Sequence, residues 1–271
     1  MLRRFLIILM AVTGLVSTAQ AEKLTVGLLR LSSSGPVFIA QQQGYFREAG
    51  IDVELRFFDA AQPVAVAALA GSIDVGVTAF TAGFYNLARD GALKVIAAQS
   101  REEPGYKAVA YLVTPKAYSA GFTGVENFPG HRVAITHAGS SFHYALGLLA
   151  QKQGFDLGLI DLALLQSIPN MITAFRNGHV EAMLLPSSAA LPLIENGEAR
   201  ALAWVGDVTP WQSGAVFSAA TTLGRKRTAI DRFLWAYRRG TRAYYEAFLS
   251  QNVAGQIVGG TRRMEFAAII G

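Results

Sequence analysis

The chain of 271 residues contains no cysteine. That one absence removes disulfides, thiolate metal sites, iron–sulfur clusters, cysteine nucleophiles and a lipid-modified N-terminal cysteine. Charge is sparse too, with 16% of residues Asp, Glu, Lys or Arg against 52% hydrophobic; a disordered polymer is excluded, and material for a sizeable core is present. No run approaches the roughly 20 uncharged apolar residues of a membrane-spanning helix. Catalytic signatures are missing as well: there is no H-E-x-x-H, no G-x-S-x-G elbow, no Walker A loop and no dinucleotide glycine fingerprint after a strand. Asp74 and Asp90 stand alone, without the partner a general base requires. The 24 Lys+Arg exceed the 19 Asp+Glu by +5, and by only +3 once Arg3 and Arg4 are set aside. So small an excess makes no basic stripe, and nucleic acid is not expected as a partner.

The first 21 residues, MLRRFLIILMAVTGLVSTAQA, place Arg3 and Arg4 ahead of an apolar run from Phe5 to Val16, with small residues at Ala19 and Ala21 before Glu22. This pattern reads as a secretory signal peptide cleaved after Ala21, since the apolar run is too short to span a bilayer. The expectation is a protein exported to the periplasm.

From Glu22 onward, short β-rich runs alternate with helical stretches, the mark of βαβ units and mostly parallel sheets. Runs at Leu24–Leu29, Ile51–Phe58, Ile73–Val77 and Leu93–Ala98 read as strands, with helices between them, one of them near Ala79–Arg89. A second series restarts at Arg132–Thr136, and a long helix near Arg227–Leu249 closes the chain. Two α/β lobes fit this pattern better than one sheet. The expected division is 22–114 with 214–271 for lobe 1 and 115–213 for lobe 2, with hinges near Thr114 and Ser213.

Three turns place small residues at expected helix starts: Ser32-Ser33-Ser34-Gly35, Val77-Thr78-Ala79 and His137-Ala138-Gly139-Ser140-Ser141. Unpaired N–H groups and the positive end of the helix dipole make such a turn an anion cradle, although the same residues also serve as plain caps. In parallel sheets the strand C-termini face one crevice, so the turns are expected to converge. His143, on the helix after Ser140 and Ser141, reads either as a further donor or as a half-buried helix residue. Arg30, at the end of the first strand, reads either as a partner for a carboxylate or sulfonate or as a surface residue. Phe80, Phe84, Tyr85 and Trp211 read as pocket wall or core.

The motifs KLTVG, SGPVFIAQQQGYFREAG and IDVEL over Lys23–Leu55, then LAGSIDVGVT at Leu69–Thr78 and VAITHAGSSFHYALG at Val133–Gly147, resemble the extracytoplasmic solute-binding proteins of ABC importers for nitrate, sulfonate, taurine and pyrimidine thiamine precursors, the NMT1/THI5-like family. The resemblance implies an α/β fold of two lobes, a periplasmic binding protein of type II, with a ligand cleft between mostly parallel sheets. It implies a monomer that captures a small anionic or aromatic/heterocyclic solute for a membrane permease and its ATPase, without catalysis, cofactor or metal. By motif position it carries binding roles to Ser33, Ser34, Thr78, Ser140 and Ser141. With the neighbouring turn residues the candidate set is Arg30, Ser33, Ser34, Thr78, Ala79, Ser140, Ser141, His143 and Ser187. Relatives often place an acidic or aromatic residue where this chain has Pro186-Ser187-Ser188, which leaves the solute head group open. Two other readings share the fold: a sensory receptor, and a precursor synthase whose expected cysteine-rich segment is missing here.

Overall fold

A computed structural model describes residues 21–252, 257, 260 and 262–270. The expected signal peptide lies outside them, apart from Ala21. Lobe 1 begins with β1 (Glu22–Leu28), α1 (Gly35–Gln42), α2 (Tyr45–Glu48), β2 (Ile51–Phe57), α3 (Ala61–Leu69), β3 (Val75–Ala79), α4 (Ala82–Arg89) and β4 (Leu93–Glu102). The chain then crosses to lobe 2: β5 (Val109–Val113), α5 (Pro115–Ser119), β6 (Arg132–Ile135), α6 (Ser141–Gln153), β7 (Asp161–Leu164), α7 (Ile168–Arg176), β8 (Ala182–Pro186), α8 (Ser187–Glu195), β9 (Arg200–Trp204) and α9 (Val205–Val208). It returns through β10 (Trp211–Ala219), α10 (Ala220–Arg225) and α11 (Arg227–Tyr244), with α12 (Arg263–Ile270) beyond.

The two five-stranded sheets run β2-β1-β3-β10-β4 and β7-β6-β8-β5-β9. In each, one strand opposes the rest: β10 is antiparallel to β3 and β4, and β5 to β8 and β9. Both are the strands that have just entered from the other lobe. The C-terminal ends of the parallel strands face the junction, so a chain arriving there starts where its neighbours finish and must run the other way.

This topology corrects the expected division. Val109–Val113, assigned to lobe 1 by a boundary at Thr114, pairs with β8 and β9 in the second sheet. The first crossing is therefore residues 103–108, and Thr114 caps α5, its side chain accepting from the Ala117 N–H. The second crossing ends at Trp211, which already pairs with Glu102 in the first sheet, two residues ahead of Ser213.

The central strands β3 and β8 are buried along most of their length, whereas the edge strand β2 keeps Asp52 and Arg56 in solvent. Leu24, Val26 and Leu28 of β1 are wholly buried, each contributing roughly 1.5–3 kcal/mol. Phe46 stacks on Phe233 of α11 at 5.3 Å between ring centres. Gly240 lets α11 approach α1, because a Cβ there would lie 2.1 Å from the Pro36 carbonyl oxygen. Asp74, isolated in the sequence, is structural: its Oδ2 accepts from the Thr25 N–H and from Lys226 Nζ, both at 2.9 Å. Among the described residues no helix is long and apolar enough to cross a membrane.

Candidate functional site

A cleft of about 1040 Å³ opens between the two sheets where the strand ends converge. The buried polar side chains gather there. Ser34, Thr78, Thr81, Glu102, Thr136, Ser140 and Ser213, each almost wholly shielded, all line it. Burying hydroxyls in a core this apolar is costly unless they have partners, and their concentration on one surface marks that surface as the site.

The first wall is the serine turn. Ser32–Ser34 form a 3₁₀ turn leading into α1, where Pro36 stands in the first helical turn and needs no N–H partner. Ser34 makes no side-chain cap. The turn is held from below by Gln99, whose Nε2 donates to the Ser33 carbonyl at 3.0 Å. Ser100 Oγ in turn donates to Gln99 Oε1 at 2.7 Å and lies 3.2 Å from Ser213 Oγ. Burial pushes the phenol of Tyr244, another wall residue, upward, and a hydrogen bond with Ser32 opposes the shift.

The opposite wall is the start of α6. Ser140 is its N-cap, with Oγ accepting from the His143 N–H at 3.2 Å; its own hydroxyl hydrogen can still point at a guest. Ser141, Phe142 and Ala145 face the cleft together with Thr136, His137 and Ser187.

At the cleft mouth the lobes touch directly. The Ala82 N–H donates to the Gly139 carbonyl at 2.7 Å. Gly139 has φ +75°, and a Cβ on it would stand 2.6 Å from Ala82 Cβ, so this contact requires glycine. Beyond it lies a smaller groove of about 440 Å³ walled by Phe80, Tyr85, His143, Tyr144 and Trp211. Burial first, and then the neighbouring Tyr144, push the Tyr85 phenol upward.

Of the residues singled out from sequence, Ser33, Ser34, Thr78, Ala79, Ser140, Ser141 and Ser187 line the cleft. Arg30 does not. It is exposed, and its guanidinium lies 3.7 Å from the centre of the Phe57 ring, a cation–π contact on the outside of lobe 1. His143 is also turned away: its Nδ1 accepts from the Gly139 N–H at 2.9 Å and its ring lines the outer groove. The helical rotation accounts for this, since residues 141, 142 and 145 form one face of α6 and 143, 144, 147 and 151 another. The middle turn is corrected as well. Thr78 and Ala79 belong to β3, and α4 starts only after Thr81, whose Oγ1 accepts from the Phe84 N–H at 3.0 Å. The first N–H of α4 goes to Gly139, so of the three expected turns only those before α1 and α6 are helix starts on the cleft, where α3, α7 and α8 also begin.

The match to the family model described as NMT1/THI5 like covers residues 32–247. The chain belongs to the NMT1/THI5-like family. Solved structures agree on the fold. The alkanesulfonate-binding protein SsuA of Xanthomonas axonopodis pv. citri, bound to MOPS, superposes with a TM-score of 0.74 at 21% identity, over 93% of this chain and 79% of that one. The periplasmic aliphatic sulphonate binding protein SsuA of Escherichia coli gives 0.69 at 20%, over 92% and 77%. The periplasmic nitrate-binding protein NrtA of Synechocystis PCC 6803 gives 0.72 at 14%, over 93% and 66%. A search of curated proteins found no match. This member of the NMT1/THI5-like family thus has the two-lobed fold of periplasmic binding proteins.

Sequence reasoning missed Thr81, Gln99, Ser100, Glu102 and Thr136 as site residues; it named His137 only as part of its turn and Ser213 only as a hinge. Ending β4 at Ala98 cut off its last four residues, which reach the cleft.

Proposed function

We propose that this protein is the extracytoplasmic capture component of an ABC importer, taking a small solute with a hydrogen-bond-accepting, anionic head group and delivering it to a membrane permease and its ATPase. The observation that carries this reading is the pair of helix starts, Ser33-Ser34 before α1 and Ser140-Ser141 at α6, on opposite walls of one cleft of about 1040 Å³. Each offers hydroxyls and backbone N–H groups to an acceptor. The solutes for which the structural neighbours are named, sulfonates and nitrate, are of this chemistry. The cleft belongs to a monomer, export follows cleavage after Ala21, and closure of the lobes around the solute is the signal of occupancy. The test is thermal-shift and calorimetric titration with alkanesulfonates, arylsulfonates, nitrate and aminopyrimidines. Stabilisation growing with the logarithm of solute concentration supports the reading, and a flat melting temperature across every class overturns it.

A further inference from the structure

We propose that Glu102 is a proton-linked hinge group, whose carboxyl takes up a proton as the lobes close and so couples solute capture to pH. The functional consequence rests on the capture reading above, while the hinge behaviour stands on its own geometry. Glu102 ends β4 immediately before the first crossing, and it pairs with Trp211, where the second crossing ends. Among the described residues it therefore sits between the two covalent connections joining the lobes. Only 2% of it is exposed.

The crossings press together around it. A Cβ on Gly206 of α9 would lie 2.5 Å from the Glu103 carbonyl oxygen and 2.6 Å from the Glu103 nitrogen. The Gly105 N–H donates to Asp207 Oδ1 at 2.9 Å. The backbone amides of Val109 and Gly206, which belong to lobe 2, favour the ionised form of the Glu102 carboxyl, while the residue itself belongs to lobe 1. Its Oε2 is buried with no partner.

No ion pair offsets the charge. Among the described residues no Lys, Arg or His lies within ion-pair distance of Glu102, and the ionisable groups around it are engaged elsewhere or are acidic. Tyr111 faces it from β5 with a phenol that burial drives up and that the Glu102 charge drives further. Asp207, on α9, is held by Gly105. On the first crossing, Arg101 pairs with Glu103 at 3.1 Å, and Lys107 lies over the Trp204 ring. Desolvation accordingly pushes the Glu102 carboxyl up to about 7, against the two N–H donors that pull it down.

Opening the cleft pivots on these crossings and separates the lobe 2 amides and α9 from Glu102. Water then reaches the carboxyl, and the ionised form becomes cheap. The closed form holds a proton that the open form releases, so closure is favoured as the pH falls through neutrality. Each pKa unit relieved by opening changes the closed-to-open ratio up to about tenfold between mildly acidic and mildly alkaline conditions.

The absence of cysteine makes the measurement direct. Lys94→Cys and Lys116→Cys, exposed positions on the two lobes, carry spin labels, and the mature chain without added solute is titrated from pH 5.5 to 8.5 while the label distances are read. The expected result is a closed-distance population that declines with a midpoint near neutrality. Glu102→Gln removes the dependence and holds the population at its low-pH value. His137→Asn and His143→Gln, which change the two histidines bordering the cleft and its mouth, leave the dependence in place; should Glu102→Gln fail to fold, these variants and the wild type still decide. A pH-invariant distribution in the wild type, the same dependence in Glu102→Gln, or its loss in a histidine variant overturns the proposal. Solutes that bind a pH-invariant hinge leave the capture reading standing and sink this one. A pH-responsive hinge in a chain that binds no solute does the reverse.

Discussion

Ser140 and Ser141 are neighbours in sequence with separable duties, and replacing each by alanine tests the site more sharply than any other change. Ser140 is the N-cap of α6, its Oγ accepting the His143 N–H at 3.2 Å. Losing such a cap costs about 1 kcal/mol, which in a chain of this size lowers the melting temperature by roughly 2–4 °C. Ser140 also lines the cleft, so Ser140→Ala is expected to lose both stability and affinity. Ser141 lines the cleft and accepts no capping bond, so Ser141→Ala should melt like the wild type while binding more weakly. A lost hydrogen bond to a charged solute group is worth about 1.5–3 kcal/mol, or roughly 10- to 150-fold in Kd. Calorimetric titration and thermal melts on the same preparations measure both quantities, with Arg30→Ala as a control expected to bind normally. If Ser141→Ala lost stability and kept its affinity, or if Arg30→Ala lost affinity, the assignment of the cleft walls would be refuted.

Three further outcomes follow from the geometry. Gly139→Ala would drive a Cβ into Ala82 and strain a backbone at φ +75°, a cost of order 1–3 kcal/mol; small-angle scattering should show a larger radius at saturating solute than for the wild type, and an equally compact variant would remove the mouth contact from the closing mechanism. Gly240→Ala pushes α11 off Pro36 and is expected to lower stability by about 1–3 kcal/mol in denaturant titration, with unchanged stability counting against the tight α1–α11 packing. Export should leave a mature N-terminus at Glu22, and N-terminal sequencing that begins elsewhere would contradict the cleavage site.

Much of this architecture is legible from residues alone, and the failures have physical causes. The buried strand expected at Ile73–Val77 exists but runs Val75–Ala79, and the long C-terminal helix lies where its apolar spacing put it. Val109–Val113 escaped because βαβ alternation leads one to expect a helix before each new strand, whereas β5 enters directly from the crossing. The α4 start was placed three residues early because Thr78 and Thr81 are equally good caps on paper; only pairing of Thr78 and Ala79 with β10 distinguishes them. His143 shows the limit of counting along a helix. Its distance from Ser140 was visible, but which face of α6 meets the cleft depends on how lobe 2 packs against lobe 1. Glu102 was invisible for a related reason: a glutamate in a stretch reading REE looks solvated until two distant segments close over it.

The exchanged strands also set an order of assembly. Lobe 2 is continuous from Val109 to Trp204, so everything its sheet requires is present once that segment has emerged. Lobe 1 is not, because β4 joins its sheet only through β10, more than a hundred residues later. In a chain synthesised N-terminus first, the earlier lobe must wait half-built while the later one folds, and its exposed β3 edge is then the segment most in need of protection. A truncation after Trp204 should therefore yield one folded lobe tethered to an unfinished one, not two independent halves.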